Sequence, residues 1–304
     1  MLSSTHWAVP RKSGNLLWLT ALAMDLRLTS NRQNERSLRF EPWAIPALPG
    51  EADEALRTRR EAAFYKWQTE VSNREFWSRL GPLEVANKRV LELGCGHGAL
   101  AIDIARRGAA AVLGIDLDAE RIAFAEQNLA DEHPAYRNVV RFACVDLADI
   151  TAEFDIIISK DSFEHIEDLS SMTREMARLL VPHGLIAVGF GPLYYSPFGD
   201  HGRFLGRRLL PWLPILVPER LLLRLARRRT DQKINSVADL GLNKLEPEGF
   251  RDIFAEPTWR LLRVEYNRGG KPLMGIMRAL RRLRPLEKLF TVNIYAILRK
   301  EQGN

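Results

Sequence analysis

The stretch Val90 to Gly98, V-L-E-L-G-C-G-H-G, constrains this chain more than any other. A short apolar run of this kind is a buried strand. The alternate glycines Gly94, Gly96 and Gly98 that close it let the backbone turn tightly and approach a ligand with no side chain between. Residues 98 to 107 that follow have helical character. The unit predicted is strand, bare loop and helix N-terminus, which binds the polar part of a nucleotide-like cofactor. Gly94-x-Gly96-x-x-Ala99 also meets the loose dinucleotide fingerprint, with Asp116 at about the distance expected of a ribose-binding acid. Glu92 weighs against that reading. A carboxylate at a strand end costs several kcal/mol to bury unpaired, so it is expected to meet a donor or a cation, which an amino group or sulfonium supplies and a pyrophosphate does not.

From residue 88 the chain alternates regularly. Strands are predicted at 88 to 93, 111 to 115, 139 to 145, 154 to 159 and 185 to 190, the last entered through a Pro182-His183-Gly184 turn. Between them lie helices, one capped by Asp118 with Ile122, Ala125 and Leu129 on one face, another capped by Asp168 or Ser170 and carrying Leu169, Met172, Met176 and Leu179. Such alternation implies a parallel sheet with helices on both faces, whose ligands bind outside the carboxyl ends of the strands. Glu92, Asp116, Asp146 and Ser159 to Asp161 all fall at those ends.

Four motifs in order, V-L-E-L-G-C-G-H-G, G-I-D-L-D at 114 to 118, A-C-V-D-L at 143 to 147 and F-D-I-I-I-S-K-D-S-F-E-H-I at 154 to 166, resemble the class I S-adenosylmethionine-dependent methyltransferases, closest to the small-molecule, type 11-like subgroup. The resemblance is strong over residues 85 to 190 and weak elsewhere. It implies a Rossmann-like doubly wound seven-stranded sheet with an antiparallel last strand, and S-adenosylmethionine as cofactor. It further implies that Gly94, Cys95, Gly96 and Gly98 form the loop against the methionine portion, with Glu92 toward its amino group. Asp116 would accept the ribose hydroxyls, Asp146 the adenine amino group, Leu117 and Leu147 would sandwich the ring, and Ser159 would join the cofactor pocket. Candidate catalytic residues are His165, with Asp161 and Glu164 as neighbours able to orient it, and His201 beside Tyr194 and Tyr195, since imidazole titrates near neutrality. Upstream helices cover the cofactor in such enzymes, so Tyr65 or Trp67, from the helix-rich stretch 51 to 80, is a candidate to close over it.

Composition narrows the class. The chain has 304 residues and a hydrophobic fraction of 46%, enough for a full core. Two cysteines, Cys95 and Cys144, provide no disulfide framework and fit a reducing cytoplasm. No apolar run reaches the length of a membrane span, and Asn15 to Met24 lacks a small-residue cleavage site. No Asn-Pro-Pro-aromatic motif follows the fourth strand, which disfavours a flipped-base nucleic-acid acceptor, and no histidine and carboxylate cluster has metal-ligand spacing. A small-molecule or amphiphilic acceptor, lipid- or glycan-linked, is expected. An RNA-directed methyltransferase and a nicotinamide-dependent oxidoreductase are the rivals.

Residues 1 to 50 form a predicted N-terminal extension, with Trp7, Trp18 and Trp43 available for packing, ahead of a methyltransferase domain at 51 to 304. Within it, residues 192 to 245 are a long excursion at the ligand-binding end of the sheet, expected to be a lid or acceptor pocket. Residues 246 to 300 carry a helix at 247 to 256, strands at 259 to 266 and 291 to 298, and an amphipathic basic helix over about 272 to 284, with Leu273, Ile276, Met277, Leu280 and Leu283 on one face. The net charge is +6, and arginines crowd 203 to 229 and 278 to 284. The segments 209–229 and 272–284 are therefore candidates for peripheral contact with an anionic membrane surface.

Overall fold

The structure, a computed structural model, describes residues 45–48, 50–206, 210–230, 233–269 and 272–301. The expected extension lies almost wholly outside the described residues, as do Trp7, Trp18, Trp43 and the run Asn15 to Met24.

The described chain opens with helix α1 (Asp53–Trp67), a π-helical turn (Gln68–Ser72) and α2 (Asn73–Leu80). There follow β1 (Arg89–Leu93), α3 (Ala99–Arg106), β2 (Ala111–Asp116), α4 (Ala119–Asp131), β3 (Val140–Cys144), β4 (Phe154–Lys160), α5 (Leu169–Leu179) and β5 (Leu180–Phe190). The excursion carries α6 (Leu213–Leu216) and α7 (Glu219–Arg227). The chain finishes with α8 (Pro247–Ile253), β6 (Trp259–Tyr266), α9 (Pro272–Leu280), α10 (Glu287–Phe290) and β7 (Ile294–Lys300).

The seven strands form one sheet in the order β3-β2-β1-β4-β5-β7-β6. The first five are parallel, and β7 runs antiparallel between β5 and β6. This is the Rossmann-like, doubly wound arrangement with an antiparallel last strand. The order reverses between β1 and β4, which opens a crevice above their carboxyl ends.

Each face of the sheet buries its own core. Because alternate strand residues share a face, Val90, Ile156 and Ile158 pack with Phe76, Leu80, Ile102 and Ile122 on one side. Leu91 and Ile157 pack with Met176, Phe190 and Phe250 on the other. Burying a side chain of this size stabilises by about 1.5–3 kcal/mol. The helix caps act as expected: Asp118 accepts from the Glu120 and Arg121 N–H groups, and Asp168 from Ser171.

Three expectations require correction. The fifth strand begins at Leu180, and Pro182-His183-Gly184 lies within it as an excursion between the pairs Phe154 with Leu180 and Ile156 with Leu185, His183 adopting φ +63°. The basic helix expected over 272 to 284 stops at Leu280, and a separate 3-10 turn, Arg284–Leu286 with Pro285 in it, follows. Its apolar face is also divided: Met277 is buried, whereas Leu273, Ile276 and Leu283 are exposed. Finally, Tyr65 does not reach the glycine loop. Its hydroxyl bonds His133 Nε2 at 2.9 Å, and Trp67 stacks on Phe64.

The excursion between β5 and α8 has a small core of its own, built from Tyr194, Phe204, Leu213, Leu222, Ala226 and Ile234 with their neighbours. No helix among the described residues is long and apolar enough to cross a membrane.

Candidate active site

The glycine loop is fixed from below by β2. The Gly94 and Cys95 N–H groups both donate to the Ile115 carbonyl, at 2.9 and 3.0 Å, and Gly96 N–H donates to Asp116 Oδ2 at 2.9 Å. Gly98, at φ +77°, begins α3, and a Cβ there would stand 2.4 Å from Cζ of Phe142. Glycine is thus required twice over, by dihedral and by space. Gly96, at φ +50°, faces nearly open space, with only Arg121 Cδ 4.0 Å from where a Cβ would be. That is the bare approach expected of a ligand-facing loop. Cys95 is buried, and burial pushes its thiol up, so it behaves as a small packing residue.

Around this loop the strand ends converge. Glu92 is buried on the α3 side of β1, and its Oε2 has no hydrogen-bond partner among the described residues. Burial pushes its carboxyl up to about 8, opposed by the nearby Lys160 ammonium and the Ala101 N–H. Asp116 is half-buried, and its Oδ1 accepts from Asp118 N–H at 2.9 Å. Its two oxygens are therefore oriented by backbone on either side. Leu117 beside it is 73% exposed, a large apolar surface left open at the cleft. Asp146 is exposed and caps the short turn Leu147–Asp149 through Ala148 N–H.

Two expected cofactor contacts are placed differently. Leu147 is only 2% exposed, because the turn capped by Asp146 rotates it into the core with Ile150 and Leu179. The expected two-sided leucine clamp is therefore reduced to one open wall, Leu117. Ser159 is buried, and its hydroxyl donates to the Leu93 carbonyl at 3.2 Å, so it joins β4 to β1 instead of facing the cleft.

Of the expected catalytic residues, His165 and His201 meet, and Asp161 lies near enough to influence His165 by its charge. Asp161, at φ +54°, follows β4, and its N–H bonds the Gly189 carbonyl at 2.8 Å. The residue is exposed, yet the protein around its carboxyl displaces enough water to push its pKa up, against the pull of Lys160, Arg79 and His165. His165 Nδ1 lies 2.5 Å from the Gly241 carbonyl, and its ring stands edge-on to His201 with centroids 5.3 Å apart. His201 Nε2 in turn bonds the Pro192 carbonyl at 2.9 Å. A carbonyl can only accept, so each histidine carries a proton on the nitrogen so engaged, and neutral His165 keeps its lone pair on Nε2. Desolvation, with Arg203 as a nearby positive charge, lowers the His165 pKa. Glu164, whose Oε1 accepts from Gly191 N–H at 3.1 Å, is buried and pushed up to about 8, so it holds the neighbouring backbone in place.

His97 and Glu61 belong to the site and were not anticipated. His97, inside the glycine loop, is buried against Phe64 and Phe124 and bonds Glu61 of α1 through Nε2. Helix α1 is thereby latched to the loop by Glu61. The spacing of Glu61 and Phe64 on one helical face is the only local sign of it.

Residues 90–184 match the family described as methyltransferase domain. With the glycine loop, Asp116 and the sheet order above, this segment is a methyltransferase domain. Over 114 residues the chain is 37% identical to the ubiquinone biosynthesis O-methyltransferase of Neisseria meningitidis serogroup A, covering 35% of this chain and 45% of that protein. Over 145 residues it is 29% identical to the protein of the same name from Pseudomonas fluorescens, covering 44% and 61%. The matched stretch thus spans under two thirds of these relatives. Among solved structures, a methyltransferase from Mesorhizobium loti is 20% identical over 78% of this chain and 98% of its own, with a TM-score of 0.49. Magnesium protoporphyrin IX methyltransferase from Synechocystis is 16% identical over 86% and 90%, with a TM-score of 0.44.

Proposed function

We propose that this chain transfers a methyl group from S-adenosylmethionine to an oxygen of a small or amphiphilic acceptor. The observation that carries the reading is the convergence of the glycine loop, Glu92 and Asp116 with the His165 and His201 pair above one set of strand ends. The residues present fit the cofactor. Buried Oε2 of Glu92 lacks a hydrogen-bond partner among the described residues and suits a cationic amino group, while the two Asp116 oxygens keep lone pairs for two hydroxyls. Exposed Leu117 and Asp146 offer an apolar face and an acceptor beyond them.

S-adenosylmethionine supplies a methyl group already activated on a positively charged sulfur. The chain's own task is to hold the acceptor in line and to remove its proton. His165 does the second. Its Nδ1 proton is committed to the Gly241 carbonyl, so Nε2 is free to accept. His201 limits its rotation from one side, and the Asp161 carboxylate favours the imidazolium that forms. The O-methyltransferase names of the relatives support a hydroxyl acceptor.

The excursion 192–245 is proposed as the acceptor lid, since His201 comes from it. Leu210, Ile215, Leu216 and Leu221 on it are exposed, as are Leu273 and Ile276 on α9, each group with arginines nearby in sequence. These apolar and basic faces support contact with an anionic membrane surface, where amphiphilic acceptors reside.

The test is incubation of the purified chain with methyl-labelled S-adenosylmethionine and pooled phenolic and amphiphilic acceptors, alongside calorimetry with S-adenosylhomocysteine. Label in an ether product and micromolar binding are expected. Failure to bind S-adenosylhomocysteine at millimolar concentration, or preferential binding of NADH, overturns the reading.

A further inference from the structure

Beyond the cofactor crevice the structure holds a second, strongly basic cavity of about 680 Å³. It is lined by Arg74, Glu75 and Arg79 from α2, by Glu265 at the end of β6, and by Arg268 and Arg278 from the segment that follows. Four guanidinium groups face two carboxylates there. Glu75 is taken up by Arg79, at 2.6 Å, and Glu265 is divided between Arg263 at 3.1 Å and Arg268 at 3.4 Å. The remaining donors are under-used. Arg74 has neither a hydrogen bond nor an ion pair among the described residues. Arg268 faces Glu265 through its buried Nε at ion-pair distance, without a hydrogen bond among the described residues, and shares that carboxylate with Arg263. Arg278 donates from Nη1 to the Asn267 carbonyl at 2.9 Å, which orients its fork, and has no ion pair among the described residues.

The cavity adjoins the proposed reaction centre. Asp161 N–H bonds Gly189 of β5, Gly189 pairs with Tyr295 of β7, and the Tyr295 hydroxyl accepts from Arg79 Nη1 at 3.2 Å. Arg79 also lies close enough for its charge to hold the Asp161 carboxyl down. Arg79 is thus shared between the lining of the cavity and the surroundings of Asp161, and an acceptor reaching from His165 to the cavity would have to pass it. Guanidinium forks in excess of the carboxylates around them recognise oxyanions, because two parallel N–H donors match two oxygens of a phosphate or carboxylate. The volume falls within the ordinary range for a small-molecule site, roughly 300–1,000 Å³, and exceeds what a lone ion needs.

We propose that this cavity is the acceptor's anion subsite, with Arg74, Arg268 and Arg278 gripping a phosphoryl or carboxylate group of the molecule to be methylated. The proposal deepens the methyltransferase reading above and rests on it for the position of the reacting hydroxyl. The exposed Leu273 and Ile276 of α9, the helix that carries Arg278, would let the same subsite take the anionic head of a lipid-borne acceptor.

The test uses inorganic pyrophosphate as the probe, by calorimetry and by thermal shift, with S-adenosylhomocysteine titrated in parallel. Wild-type protein is expected to bind pyrophosphate with an affinity that weakens as salt rises. Arg268→Gln together with Arg278→Gln is expected to weaken it about tenfold or more. S-adenosylhomocysteine binding should be unchanged in that variant, so loss of the subsite is distinguishable from loss of the cofactor site. Glu265→Gln gives the opposite sign, tighter pyrophosphate binding, and so separates charge recognition from damage to the fold. Sedimentation with phosphatidylcholine vesicles, with and without phosphatidic acid, tells the source: loss of vesicle binding in the double variant assigns a lipid-borne anion, and unaltered vesicle binding a free one. Pyrophosphate binding that is absent, or equal in wild type and double variant, overturns the proposal.

Discussion

His165 and His201, one following β4 and the other deep in the excursion after β5, stand edge-to-face with ring centroids 5.3 Å apart, each tied by one nitrogen to a backbone carbonyl. This gives His165 a fixed tautomer without a carboxylate in contact, since the Gly241 carbonyl takes the role that an aspartate fills elsewhere.

If His165 removes the acceptor proton, His165→Ala is expected to lower kcat by about 100-fold or more with little change in S-adenosylhomocysteine affinity. The imidazole acts in its neutral form. Burial lowers its pKa below the usual 6.5, so the rate should be flat at neutral pH and fall as pH drops through that lowered value. The pH–rate profile checks this. Survival of the acid limb in the variant would exclude His165 as its source.

Asp116 presents both oxygens to backbone donors from the glycine loop and from its own turn. Asp116→Ala leaves those N–H groups without partners and removes the proposed ribose acceptor, so S-adenosylhomocysteine affinity is expected to fall about tenfold or more. Asp116→Asn, which keeps one acceptor oxygen, should lose less. Calorimetry on the two variants orders them.

Gly98 faces Phe142 so closely that a methyl group must overlap the ring, and its φ of +77° disfavours any side chain. Gly98→Ala is expected to cost about 2 kcal/mol or more in stability, through strain and overpacking together. Chemical denaturation measures it. A variant as stable as wild type would mean that β3 does not pack under the loop as described.

Glu92 and Glu164 are both pushed up to about 8 by burial, from an ordinary value of 4.5. The folded chain holds these protons more tightly than the unfolded one. The stability they contribute is complete below the unfolded value and is lost as pH rises through the folded value. Melting temperature is therefore expected to decline from mildly acidic to mildly alkaline pH. Glu164→Gln, which retains an oxygen to accept from Gly191 N–H, should flatten that decline and melt above wild type at alkaline pH.

Leu216 and Leu221 are 67% and 48% exposed on the excursion. Leu216→Asp with Leu221→Asp is expected to abolish sedimentation with anionic vesicles while changing folding stability by no more than about 0.5 kcal/mol per site, as befits surface positions. Equal sedimentation of variant and wild type would remove the membrane contact.

Much of the site was legible because it is local. The turn after Leu93 needs glycines at positive φ, and a carboxylate directly after β2 lies near the loop wherever β1 and β2 are parallel neighbours, so V-L-E-L-G-C-G-H-G and Asp116 announced themselves. Leu147 and Ser159 did not behave as expected, since one cap hydrogen bond at Asp146 and one sheet contact at Leu93 set their directions. Neither is visible from spacing.

Sequence alone determined the alternation of strand and helix, the glycine loop, the caps at Asp118 and Asp168 and the acids at strand ends, because these follow from dihedral preference and side-chain period within a few residues. Only the tertiary structure decided that Glu61 latches onto His97, that His165 meets His201, and that arginines from α2, the turn after β6 and α9 share one cavity. Those contacts join segments far apart in the chain. What brings them together is the burial of the two sheet faces, which fixes where each element lies and leaves the polar side chains to find whatever stands opposite.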